Sequence, residues 1–236
     1  MAQPRILLTG LAFGESPRWH DDRLWFSNWG TQEVVTADLD GNSEVAARVP
    51  TTIPYSIDWL PDGRLLVVPG QEALLLRREP DGSLITHADL SSLGPVFNEI
   101  VVDGRGNAYV NGEIVVLVTP DGSVRQVAEG LAFGNGMAVT PDNRTLIVAE
   151  SHGNRLTAFD IAADGSLSNR HVWAGPRLLR LHARRPGPQD PLHAGSRVAG
   201  HGPHDQRGAD RPGADRRGAR ATHRLALTRR TSQSSR

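Results

Sequence analysis

The chain is 236 residues long, carries 26 basic and 26 acidic residues, and contains no Cys. That length holds one domain with a sizeable core. The missing cysteines exclude disulfides and thiolate chemistry, and no apolar run approaches the roughly 20 residues of a membrane span. The opening MAQPRILLTG has too short an apolar run for a secretory leader, so a cytoplasmic location is expected. The zero net charge hides two unlike halves: residues 1–175 carry 12 Arg against 22 Asp and Glu, and residues 176–236 carry 14 Arg against 4 Asp. All the basic residues are Arg, and every Trp, Tyr and Phe lies before residue 176. A break of this kind marks a boundary at residue 175.

Within 1–175 the chain reads as repeated strands. Residues 10–41 open with Gly-Leu-Ala-Phe-Gly and run through Arg23–Ser27 and Val34–Leu39 to the turn Asp40-Gly41. Residues 51–82 repeat the plan with Ser56–Leu60, the turn Pro61-Asp62-Gly63, Arg64–Val68 and Ala73–Arg78, closed by Pro80-Asp81-Gly82. Residues 94–122 give Glu99–Val102, Asn107–Val110 and Val115–Thr119, with Asn111-Gly112 read as a two-residue hairpin turn and Pro120-Asp121-Gly122 closing the unit. Residues 130–165 begin again with Gly-Leu-Ala-Phe-Gly and close at Asp164-Gly165.

The closing glycines Gly41, Gly82, Gly122 and Gly165 are 41, 40 and 43 residues apart. Strands repeated at that period predict an all-β fold, a β-propeller of about four blades; a generic antiparallel sandwich is the alternative. Aligning the first strands on Trp19, Trp59, Val102 and Val139 and stepping back four residues gives Glu15, Tyr55, Asn98 and Asn135. In a propeller, equivalent inner-strand positions converge on one axis. Three of the four offer carboxylate or amide oxygens, a donor set suited to a hard divalent cation. The same residues would also serve as loop caps or turn residues.

The pieces Glu15-Ser16-Pro17-Arg18-Trp19, Phe97-Asn98-Glu99 and Asn135-Gly136-Met137 resemble the gluconolactonase, regucalcin and senescence-marker-protein family of six-bladed propellers, over residues 10–175. The resemblance implies a metal-dependent hydrolase of lactones and related esters. It implies one divalent cation, calcium first, with zinc, magnesium or manganese as alternatives. It makes Glu15 and Asn135 metal ligands and places Asn98 near substrate and metal. The family's third ligand and general base is an Asp in a later blade. The pivot spacing puts that position near residues 172–178, which contain no Asp, so no catalytic residue is assigned and an inactive chain is expected. Two further departures are Val96, where the family often has Arg, and Gly134, where it usually has Pro.

Residues 176–236 lose the repeat and are rich in Arg, Gly, Ala and Pro, a composition that cannot bury a core. Their scattered His193, His201, His204 and His223 fit no ligand spacing. Two readings stand. One is a basic tail able to bind nucleic acid, making the protein a non-catalytic propeller module. The other is out-of-frame translation of a GC-rich gene, which the break in mid-repeat favours. A related propeller without metal, of the strictosidine-synthase or NHL kind, is a third functional alternative.

Overall fold

The structure, a computed structural model, describes residues 5–49, 52–70 and 72–175. The expectations for residues 176–236 (a disordered, nucleic-acid-binding or out-of-frame tail) lie outside the described residues. Among the described residues, sixteen strands form four antiparallel sheets of four strands, each sheet built from consecutive strands. The first is β1 (Gly14–His20), β2 (Arg23–Asn28), β3 (Glu33–Ala37) and β4 (Ser43–Arg48). The second is β5 (Pro54–Trp59), β6 (Leu65–Pro69), β7 (Leu74–Arg78) and β8 (Leu84–Asp89). The third is β9 (Glu99–Val102), β10 (Ala108–Asn111), β11 (Val115–Val118) and β12 (Val124–Ala128). The fourth is β13 (Gly134–Val139), β14 (Thr145–Glu150), β15 (Arg155–Ile161) and β16 (Leu167–Ala174). A 3-10 turn at Trp29–Thr31 is the one helical element among the described residues, and no described helix is long and apolar enough to cross a membrane.

These sheets are propeller blades, and the inner strands β1, β5, β9 and β13 neighbour one another in series. The middle strands are buried on both faces, which is why they read as unbroken apolar runs rather than alternating ones. In β6, Leu65 and Val67 pack with Val34 and Ile57 against blade one, while Leu66 and Val68 pack with Leu75, Ile100 and Val110 against blade three. In β11, Val116 and Val118 face blade two, and Val115 and Leu117 face Leu146, Val148 and Phe159 of blade four.

The Asp-Gly turns differ from the sequence expectation in one respect. They do not close the blades; each joins the third strand to a fourth, and the glycines there adopt φ of +91°, +86°, +85° and +81°. The outer strands β4, β8, β12 and β16 are largely exposed and polar, so they carry little hydrophobic signal. Each pairs with its neighbour through a bulge or register break, which makes an exposed strand edge a poorer template for further pairing. Because β16 occupies Leu167–Ala174, residues 172–174 are outer-strand residues of blade four, not the inner-strand position expected of them; residues 176–178 are not described. In blade three the Asn111-Gly112 hairpin is a three-residue connection, Gly112–Ile114, since Asn111 pairs with Val115.

Candidate functional site

Two Gly-Leu-Ala-Phe-Gly loops lead into β1 and β13, and they are built alike. Ala12 N–H donates to Asn28 Oδ1 at 2.9 Å, and Ala132 N–H donates to Glu150 Oε2 at 2.7 Å. Trp29 N–H donates to Phe13 O, and Ser151 N–H to Phe133 O, both at 3.0 Å. These bonds hold Phe13 and Phe133 at φ of +72° and +58°. An aromatic residue in that region is disfavoured by about 1–3 kcal/mol and persists only where its surroundings fix it. Both rings are thereby pushed outward, 61% and 52% exposed. Phe13 lies 4.9 Å from the Trp29 ring, and Phe133 stacks on His152 at 4.8 Å.

Glu150, the anchor of the second loop, is a fully buried carboxylate. It accepts from Arg155 Nε at 2.9 Å and Nη2 at 3.0 Å, from the Thr157 hydroxyl, and more distantly from Arg170. Burial alone would push its pKa up. The donors from Arg155, Thr157 and Ala132 outweigh that and hold it at about 2.

Along the axis a second polar cluster ties three blades together. Ser16 Oγ and Ser56 Oγ are 2.8 Å apart. Ser56 also donates to Glu99 Oε1, and Arg18 Nη2 reaches the same oxygen at 2.7 Å and Ile100 O at 3.1 Å. Asp58 accepts Val102 N–H at 2.7 Å and Trp59 N–H at 2.9 Å; burial raises its pKa, and those bonds and nearby Arg18 oppose the rise. Ser16, Ser56 and Glu99 each follow a pivot residue by one position. Their hydrogen bonds show directly that equivalent inner-strand positions of blades one to three meet at the axis.

The pivot residues themselves divide between two places. Asn98 precedes β9 and lines an axial cavity of about 370 Å³, together with Trp29, Tyr55, Val96, Phe133 and Glu113. Asn98 Nδ2 reaches Gly134 O at 3.5 Å, and Asn111 Nδ2 donates to Asn135 O at 2.7 Å, so Asn98, Asn111 and the 134–135 backbone form one neighbourhood. The Asn135 side chain is exposed, with Ser151 Oγ at 3.5 Å. Glu15 occupies the corresponding place in β1; it borders the bulge of its strand, whereas Asn135 lies within the bulge of β13. Glu15 is exposed, bonds the Ser16 N–H at 3.1 Å, and lines a different cavity on blade one with Leu11, Leu24 and Phe26. Among the described residues no hydrogen bond links Glu15 to Asn98 or Asn135, and no cluster of three or more His, Cys, Asp or Glu is placed to hold a metal. The buried Oδ1 atoms of Asn98 and Asn111 have no hydrogen-bond partner. Unpaired buried amide oxygens are costly in a folded protein, and as hard donors they fit a divalent cation.

A model of the family described as SMP-30/Gluconolactonase/LRE-like region matches residues 13–179. The chain belongs to this family. Among solved structures it is similar to a gluconolactonase from Xanthomonas campestris, with 21% identity over 71% of this chain and 64% of that one and a TM-score of 0.62. It is similar also to a regucalcin from Agrobacterium tumefaciens titled a calcium-binding protein, at 21% identity over 72% and 62% with a TM-score of 0.59. A luciferin-regenerating enzyme matches at 17% identity over 74% and 64%, with a TM-score of 0.62. The chain spans less than two thirds of the length of each of these three. These likenesses establish the propeller fold.

Several site residues escaped the sequence reading. Asn111 reads from sequence as a turn residue, and Trp29 falls in none of the expected strands. Asn28 and Glu150 follow their loop alanines at offsets of 16 and 18 residues, a mismatch produced by the longer first turn of blade four. The duplicated Gly-Leu-Ala-Phe-Gly was the signal that could have drawn attention to Phe133.

Proposed function

We propose that the chain carries the frame of a metal-dependent lactone hydrolase, with Asn98 facing the substrate and Glu15 and Asn135 as cation ligands, a ligand pair that rests on the family resemblance because Glu15 lines the separate blade-one cavity. Calcium is the first choice of cation, with zinc, magnesium or manganese as alternatives. The observation that carries the reading is the pair of unpartnered buried amide oxygens, Asn98 Oδ1 and Asn111 Oδ1, beside the Asn135 backbone at the axial end. A divalent cation bound there would supply Lewis-acid polarisation of an ester carbonyl. The protein's own share is positioning. Asn98 presents an amide to the cavity, Trp29 and Phe133 wall it, and the Ser16–Ser56–Glu99–Arg18 cluster fixes the inner strands behind it.

This chain itself is proposed to lack turnover. The resemblance assigns the third ligand and base to an Asp in a later blade, and no Asp occurs between Asp164 and Asp190. Calorimetric titration of the purified chain with calcium tests the ligand set. The expected result is stoichiometric binding that Glu15→Gln and Asn135→Ala each weaken by tenfold or more, the scale of losing one ligand-shell contact. Binding that survives both substitutions overturns the ligand assignment. Hydrolysis of δ-gluconolactone above background, abolished by Glu15→Gln, overturns the proposed inactivity.

A further inference from the structure

The axial cavity carries a specificity signature of its own. Its walls are mostly aromatic or apolar: Trp29 and Tyr55 stand with ring centroids 4.9 Å apart and tilted by 48°, and Val96 and Phe133 contribute from the opposite blades. Val96 is 49% and Phe133 52% exposed, an arrangement that spends apolar surface on solvent in the absence of a ligand. Phe133 is held there by a strained backbone, so its outward position is imposed rather than incidental. Among the described residues no Arg lines the cavity and Glu113 is its one ionisable carboxylate, which repels an anionic ligand.

The polar groups left unsatisfied are few and specific. Among the described residues, Trp29 Nε1–H is buried without an acceptor and Asn98 Oδ1 without a donor. A ligand that fits has a flat apolar body for the rings. The cavity, about 370 Å³, is at the small end of the roughly 300–1,000 Å³ range of small-molecule sites.

We infer that this cavity takes a lactone or ester with an apolar, aromatic body in preference to a polyhydroxylated sugar lactone. The inference rests on the lactone reading of the site and adds the substrate class to it. A sugar lactone would bury several hydroxyls where the polar side chains are only Tyr55, Asn98 and Glu113 among the described residues, and each unpaired hydroxyl weakens binding. An aryl lactone covers the rings that now face water.

The test is equilibrium binding by ligand-observed NMR on the full chain with calcium present, using two compounds that share a six-membered lactone ring: dihydrocoumarin and δ-gluconolactone. Dihydrocoumarin is expected to bind at least about tenfold more tightly, the low end of what an apolar pocket discriminates. Val96→Arg, at a half-exposed position outside the core, is expected to cancel that preference by placing a cation in the apolar wall. Phe133→Leu is expected to weaken dihydrocoumarin alone. Tighter binding of δ-gluconolactone, or a preference unmoved by Val96→Arg, overturns the substrate class and leaves the lactone reading standing. Binding of neither compound by a chain with an intact β-sheet circular dichroism spectrum overturns both.

Discussion

Replacing Glu150 by Gln removes one charge and almost no volume, so its effect isolates what the carboxylate does. The buried carboxylate receives Ala132 N–H, the Thr157 hydroxyl and two bonds from Arg155. A pKa held at about 2 against an ordinary 4.5 means that the folded state prefers the ionised form by about 3 kcal/mol. A glutamine keeps one acceptor oxygen and turns an NH2 towards groups that are themselves donors. The expected loss at pH 7 is therefore about 3 kcal/mol, a large share of the 5–15 kcal/mol typical of a domain. With a urea dependence of about 1–3 kcal/mol per M, the unfolding midpoint should fall by about 1–3 M. The pH dependence follows from the sign of the shift. The folded-state pKa lies below the unfolded one, so the stabilisation is complete above pH 4.5 and is lost as pH falls towards 2. The deficit of Glu150→Gln should shrink to less than half by about pH 3. Urea titrations of both proteins at pH 7 and pH 3 measure it. An unchanged midpoint at pH 7, or a deficit of the same size at both pH values, refutes the reasoning.

Three other substitutions probe separate parts of the frame. Arg18→Met leaves Glu99 buried without its cation and should cost about 3–5 kcal/mol in urea unfolding; a loss under about 0.5 kcal/mol would mean the Arg18–Glu99 contact is dispensable. Gly122→Ala forces φ of +85° on a residue with a Cβ and brings that atom to 2.8 Å from His87 O. It should destabilise by more than Gly63→Ala, which has a similar φ of +83° and open space, where about 1–2 kcal/mol is expected from the backbone alone; equal thermal shifts for the two would remove the contact from the argument. Tyr109→Phe deletes a buried hydroxyl that donates to Gly165 O at 3.1 Å and should cost about 1 kcal/mol by the same unfolding measurement, with no change counting against that bond.

How far the fold could be read from the residues follows from where each strand lies. The middle strands were legible because burial on both faces writes continuous apolar runs such as Leu65–Val68 and Val115–Val118. The outer strands were not, because Ser43–Arg48 and Leu167–Ala174 are mostly solvated and alternate nothing against nothing. Blade four has a longer first turn than blade one and an eight-residue outer strand, so a fifth pivot projected from the earlier spacings falls on that strand. The axis was legible as a period but not as a set of contacts. Stepping from Ser16 to Ser56 to Glu99 covers 40 and then 43 residues, the same intervals that separate Glu15, Tyr55 and Asn98. The sequence spacing therefore located the ring one residue away from the members that actually touch. Which neighbour of a periodic position points inward depends on the strand's bulge, and the bulges at Glu15–Arg18 and Gly134–Met137 leave no mark in composition. The loop anchors illustrate the same limit from the other side. Asn28 and Glu150 do one job with different chemistry, an amide in blade one and a buried carboxylate with two arginines in blade four. No residue-type match could pair them; the shared Ala12 and Ala132 amides do. The charged version stands beside Phe133, the loop residue that lines the axial cavity, so the stronger anchor fixes the ring on which the proposed aromatic preference depends.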